Sequence, residues 1–190
     1  MTTRTSGISL FAVVCLGVFV VVVQCFLCLR SLVTCHLSPG PYSGPVTCKS
    51  ERITAMIESF RGRDLDAHYL GYFELFNRQQ FFEAHDVLEH IWLKDRHGPN
   101  GAFYKGLIQL AGAFVHLQKN RLRPAAALFK LALANLEKYP ARHEQMDVTG
   151  VCRLIRKWLR DLEAAHFASN PLRAETVPAL ALDLPHPRRP

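Results

Sequence analysis

Apolar residues recur every three to four positions from about residue 52 to residue 166, the spacing of amphipathic helices. The first clear stripe is Leu65, Tyr69, Tyr72, Phe73 and Phe76, with Asp64 placed as its N-cap. The second is Phe81, His85, Leu88 and Trp92, and it stops before His97-Gly98-Pro99-Asn100-Gly101. The third, over residues 102–119, is apolar on almost every side and so belongs in the middle of a bundle. The fourth has Pro124 near its first turn, carries Ala125, Leu128, Phe129, Ala132, Leu136 and Tyr139, and stops at Pro140. The fifth starts near Asp147 and carries Val148, Val151, Cys152, Ile155, Trp158, Leu159 and Leu162. No segment shows sustained alternation or a two-residue hairpin turn. The pattern therefore predicts an all-α fold, a compact antiparallel helical bundle of about five helices with short connections and no strands.

The flanks read differently. Residues 8–29 form an apolar run of about 22 residues without a charge, close to the length that crosses a bilayer as a helix. An apolar N-terminal helix within segment 1–30 is thus expected to precede the bundle. An uncleaved anchor fits it better than a signal peptide, since no Ala-x-Ala site follows. Arg30, Lys49 and Arg52 follow the run and Arg4 precedes it, which puts the domain of a membrane-anchored protein in the cytoplasm. A competing reading starts translation at Met56 and leaves a soluble cytoplasmic protein. Segment 31–51 holds Pro39, Gly40, Pro41, Gly44 and Pro45 and reads as a linker. The bundle domain spans 52–166, and 167–190 is a Pro-rich tail that lies along the bundle or is loose.

With 190 residues the chain is long enough for one domain with its own core. The formal charge is +7, yet from Met56 onward 19 Lys/Arg stand against 15 Asp/Glu, a mild excess that speaks for solubility. Arg153, Arg156, Lys157 and Arg160 make a basic face on the fifth helix without flanking aromatics or a nucleic-acid motif. That argues against nucleic acid as a partner. If the N-terminal segment is an anchor, the face could meet anionic lipid heads. Five of the six cysteines precede residue 50, so the helical part needs no disulfide. Cys25 and Cys28 have CxxC spacing but lie in the apolar run with no second pair. A Gly-rich phosphate loop, a Gly-x-Ser-x-Gly elbow and a cysteine nucleophile with a partnered base are all missing from the helical zone. No catalytic residue and no cofactor can be assigned, and the sequence leaves open whether the domain is an enzyme.

The second helix carries the chemistry that needs explaining. His85 and Glu89 stand four apart and share a face with Phe81, Phe82, Leu88 and Trp92. Burying either group without a partner costs several kcal/mol, so each must be hydrogen-bonded, ion-paired or metal-bound. One reading is structural: His85 and Glu89 bond each other, the Trp92 indole N–H or a backbone group, and lock the helix crossing. In the other, they bind a metal or small ligand, with hydrolysis as one chemistry it would serve, and Gln109 and His116 complete a cleft from the narrow polar strip of the third helix. His85 and Glu89 are the metal candidates, although His-Glu-x-x-His and paired Glu-x-x-His repeats are absent. Asp86 and His90 are expected to pair on the outer face, and His68 to lie at the rim.

The stretch Asn77-Arg78-Gln79-Gln80-Phe81-Phe82-Glu83-Ala84-His85-Asp86-Val87-Leu88-Glu89-His90-Ile91-Trp92, followed by Gly106-Leu107-Ile108-Gln109 and His116, resembles the family called domain of unknown function 309. The hallmark is His-x-x-x-Glu-x-x-Trp, met by His85, Glu89 and Trp92, with Gly-Leu-Ile-Gln on the next helix. The resemblance covers about residues 64–140. It implies a compact all-helical domain and no assigned activity. Asp86 stands where the family commonly has Glu, and Lys119-Asn120 with Pro124-Ala125 replaces its usual Gly-Asn turn.

Overall fold

The computed structural model describes residues 49–183. Among them six α-helices follow in order and pack as a bundle: α1 Lys49–Ile57, α2 Ala67–Asn77, α3 Phe81–Lys94, α4 Gly101–Gln118, α5 Leu122–Leu136 and α6 Val148–Ala164. The apolar run 8–29 lies outside the described residues. Among those described, no helix is long and apolar enough to cross a membrane.

Local chemistry sets the boundaries. Asp66, not Asp64, caps α2, and its Oδ1 accepts from the backbone N–H of His68 at 2.7 Å. The two aspartates flank Leu65, the first residue read into the stripe, and the helix begins only at Ala67, so the path of the chain decides between them. The turn into α3 runs through Gln79 at φ +62°, with the Gln80 N–H donating to the Leu75 carbonyl at 2.9 Å. This left-handed stop satisfies the end of α2 and lets α3 begin at Phe81. Asp147 caps α6 through a 2.8 Å bond from the Gly150 N–H to its Oδ1.

Helix α4 runs through the centre, with Phe103, Leu107, Leu110, Ala111, Phe114 and Leu117 fully buried. Helix α5 crosses it closely at Gly106, where a Cβ would come within 2.8 Å of Leu136 Cγ. Phe114 gathers an aromatic cluster from four other helices. Its ring lies 5.4 Å from Phe76, 5.0 Å from Phe81, 5.3 Å from Phe129 and 5.1 Å from Trp158. Side chains of this size dominate the burial energy of a small domain.

Two elements depart from the pattern-based expectation. The first is α1, which begins at Lys49 inside the stretch read as linker. Ile53 and Ile57, four apart, are both 3% exposed, and Ile57 Cγ2 would sit 3.0 Å from a Cβ at Gly71 of α2. Nine residues are too few to sustain a helix alone. Packing contributes about 1.5–3 kcal/mol for each buried isoleucine, and ion pairs to α3 hold the other flank. The second is an antiparallel pair, β1 Arg142–His143 and β2 Met146–Asp147, where no strand was expected. Glu144 and Gln145 make its turn at φ +46° and +58°. Such a turn is normally announced by Asn-Gly, and here two long polar residues take it.

Beyond α6 the chain returns along the bundle as far as it is described. Leu180 is buried, its N–H donates to Asn77 Oδ1 at 2.8 Å, and its carbonyl accepts from Asn77 Nδ2 at 2.8 Å. Leu182 bridges to Met146.

Candidate functional site

Helix α3 brings His85, Asp86 and Glu89 within an arc of about 100°, since Glu89 stands one turn on and between the other two. Their ligand atoms all lie within 4.8 Å of one another, so the group is able to hold a metal ion. Asp86 is 5% exposed and, among the described residues, is the one buried charge. Its two oxygens face α1. Lys49 Nζ lies 3.1 Å from Asp86 Oδ1 and 3.1 Å from Glu89 Oε2, and Arg52 Nη2 lies 3.1 Å from Asp86 Oδ2. Lys49, Arg52 and Ile53 share one face of α1 by their spacing. The same turn therefore supplies both the cations and the apolar contact. A cleft of about 240 Å³ opens between α1 and α3, lined by Lys49, Ile53, Asp86, Glu89, His90 and Leu93.

The electrostatics follow from this pairing. Burial alone would raise the Asp86 carboxyl, but the His85 ring and the Lys49 ammonium outweigh it and hold it below the usual aspartate value. Burial works against the Lys49 ammonium too, and Asp86 and Glu89 more than offset it, so its pKa rises. His85 is held differently. Its Nδ1 is buried and 3.5 Å from Asp86 Oδ1, within ion-pair reach but outside hydrogen-bonding geometry. The Cδ2 edge of the ring lies toward Gly112 of α4, 4.0 Å from where a Cβ would stand.

The remaining sequence candidates sort plainly. Glu89 takes Lys49 as its partner, and no hydrogen bond joins it to His85 among the described residues. The Trp92 indole N–H is buried and has no acceptor among the described residues. Gln109 turns to α5, where its Oε1 accepts from Asn135 Nδ2 at 2.8 Å. His116 lies one turn beyond Gly112, and burial, then Arg121 and Lys119, pushes its pKa down. Its ring is not among the grouped ligand atoms.

The expected outer-face pair of Asp86 and His90 is not formed. Asp86 turns into the seam under α1, and His90 stacks on His68 with centroids 4.9 Å apart and rings 7° from parallel. Judged from its own helix Asp86 points away from the aromatic stripe. Only the covering helix makes its position an interior one. On α6, Arg156 pairs with Glu137, Lys157 with Asp161 at 2.8 Å, and Arg153 stands 3.7 Å from Asp147. The basic face is thus largely matched by acids. Cys152 is buried, and burial raises its thiol pKa, the setting of an inert cysteine.

A second polar cluster carries no sequence signature. Asn100 Nδ2 donates to Glu144 Oε1 at 2.6 Å while its Oδ1 meets His143 Nε2 at 2.7 Å. The Tyr69 hydroxyl donates to the Glu144 carbonyl at 3.0 Å. Asn100 reads in sequence as a loop residue before α4, and its partners arrive from a turn more than 40 positions later.

A helical bundle with an imidazole and two carboxylates grouped on its third helix defines a class of fold and site, not an activity. Residues 69–128 match the family model described as Domain of unknown function (DUF309), and the chain carries a DUF309 domain over that stretch. The match runs from α2 into α5. It contains the whole His85/Asp86/Glu89 group, and leaves Lys49 and Arg52 outside. No curated protein and no solved structure matches the chain.

Proposed function

We propose that this domain is a non-enzymatic helical module in which the α3 polar group fastens α1 to the bundle. One observation carries the reading: Asp86, buried on α3, accepts both cations of α1 while Glu89 shares one of them. Two carboxylates and two cations balance, so the seam carries no net charge from its acids and bases. A catalytic carboxylate would need to reach a substrate, and Asp86 is 5% exposed behind α1. Trp92 and the apolar stripe of α3 then support the crossing, and the module works through its surfaces.

A double-mutant cycle of Lys49→Ala and Asp86→Asn tests this. The single changes should each loosen α1, and the pair should cost less than the sum, with a coupling of about 1 kcal/mol. Additive losses would sink the reading. We also infer from the apolar run 8–29 that the module is held at a membrane with its domain in the cytoplasm. Fractionation of cells should then leave the full chain with membranes and a chain started at Met56 in the soluble fraction; equal partition would refute the anchor.

A further inference from the structure

Lys49 occupies two of the three side chains whose ligand atoms are grouped on α3. Lys49 Nζ is equidistant, at 3.1 Å, from a carboxylate oxygen of Asp86 and one of Glu89. Beside them is the His85 ring, its side chain 12% exposed and its buried Nδ1 without a hydrogen bond. That nitrogen stands 3.5 Å from Asp86 Oδ1, while the Lys49 contacts at this seam go to the two acids, so a metal ion would add the imidazole as a ligand beside the carboxylates.

We propose that His85, Asp86 and Glu89 form a binding site for a first-row divalent cation, and that this ion competes with Lys49, and with it the docking of α1. The inference uses the α1 fastening argued above and adds a ligand to it. Three features favour the exchange. The ligand atoms already lie within 4.8 Å of one another. Two ligands of a tetrahedral zinc stand about 3.4 Å apart, from metal–ligand bonds of about 2.1 Å. Small side-chain rotations therefore close the set. A divalent ion gains an imidazole that the lysine leaves unused, and it brings twice the charge to the two acids. The resident cations are also weakly held, for the Lys49 and Arg52 side chains are 53% and 44% exposed and belong to a nine-residue helix.

The donor set names the chemical class. One imidazole with two carboxylates suits zinc, manganese or ferrous iron, whereas calcium and magnesium favour oxygen-only shells. Metal and α1 then exclude each other at one carboxylate pair, so loading the ion releases the helix that follows residues 1–48. Every proposed ligand lies inside the family-matched span, and the competing cations lie outside it.

The test uses the untagged full chain, titrated with Zn²⁺ and with Mn²⁺ by calorimetry, with hydrogen exchange of α1 amides read in parallel. The expected result is one ion bound per chain, tightened at least tenfold by Lys49→Ala and weakened at least tenfold by His85→Gln. Exchange at Ile53–Ile57 should quicken when metal is added. Lys49→Ala changes a half-exposed side chain and leaves the core intact, so it keeps the test informative if His85→Gln fails to fold. If neither the natural chain nor Lys49→Ala binds either ion, the site is refuted. Equal affinity in the two refutes the competition. If Lys49→Ala quickens α1 exchange without any gain in metal affinity, the fastening stands and the metal site falls. If it leaves α1 exchange unchanged, the fastening falls and takes the competition with it.

Discussion

The hairpin network and the α3 group are both polar clusters, and they hold their partners by different means. At the hairpin, Asn100, His143 and Glu144 bond side chain to side chain, and tyrosines reach backbone carbonyls. Tyr139 donates to the Pro99 carbonyl at 2.8 Å and accepts from the Phe103 N–H at 3.0 Å. These short bonds hold Glu144, one of the two turn residues at positive φ, and tie the start of α4 to the turn before α6. On α3 the partners are formal charges on long side chains, roughly half exposed, and one ring nitrogen makes no hydrogen bond. The first arrangement is a lock, because each bond is specific in geometry and backbone depends on it. The second is closer to a latch, because any cation that reaches the carboxylates can replace the one in place.

On that distinction, breaking the lock should cost most. Asn100→Ala removes two short bonds at once and strands the His143 ring and the Glu144 carboxylate. A loss of about 2–3 kcal/mol is expected, near the upper end for two side-chain hydrogen bonds. Urea unfolding with near-ultraviolet detection measures it. A loss below 0.5 kcal/mol, within the range of ordinary surface changes, would show that the hairpin is ornament.

Opening the latch should cost less, and locally. Asp86→Asn keeps the shape and removes the charge that Lys49 and Arg52 share. Removing one partner of a fully buried pair costs about 3–5 kcal/mol. Here the cations are half exposed and can turn to water, which reduces the expectation to about 1–2 kcal/mol. The difference should appear in hydrogen exchange over Lys49–Ile57 with little change in α4 or α5. A uniform loss across all helices would erase the contrast between the two clusters.

The same contrast explains what could be read from the chain. Helices α2 to α6 announce themselves because each buries a wide apolar stripe, and α4 stands out because its polar strip is narrow. His85 and Glu89 were legible as residues to explain, since their spacing sets them beside Phe81 and Leu88. Asp86 was not, because its burial is caused by α1, whose apolar signal is only Ile53 and Ile57 next to a Pro/Gly stretch. Asn100 and Glu144 were hidden for a related reason: their contacts are long-range, and the turn that joins them contains neither Gly nor Asn. Local periodicity reports the core it helps to build. It is silent on polar groups whose surroundings come from elsewhere in the chain.

The hairpin also offers a change of opposite sign. Gln145 holds φ at +58°, and its buried Oε1 has no hydrogen-bond partner among the described residues. Left-handed backbone costs a residue with a Cβ about 1–2 kcal/mol, while glycine's greater freedom when unfolded returns part of that. The Gln145 carbonyl keeps its 2.8 Å bond from the Asp183 N–H whatever the side chain. Gln145→Gly should therefore stabilise the domain by about 1 kcal/mol in thermal unfolding. Destabilisation would mean that the glutamine side chain packs for more than its strain, and that the turn is itself part of the lock.

The smallest effect is expected at His116, and it separates charge pairing from plain burial near α3. Burial lowers its pKa from the ordinary 6.5, and Arg121 and Lys119 add repulsion to the protonated form. The folded state thus prefers the neutral ring. Above pH 6.5 the ring is neutral in both states, and its titration adds no dependence. As pH falls through 6.5 the unfolded chain takes up the proton first, so stability declines until the folded-state pKa is passed. His116→Gln should flatten that decline between pH 6.5 and 5 while leaving stability at pH 8 nearly unchanged. An unflattened profile would assign the acid sensitivity to the imidazoles and carboxylates of α2 and α3 instead. The α3 latch, not burial on α4, would then govern how the domain responds to protons.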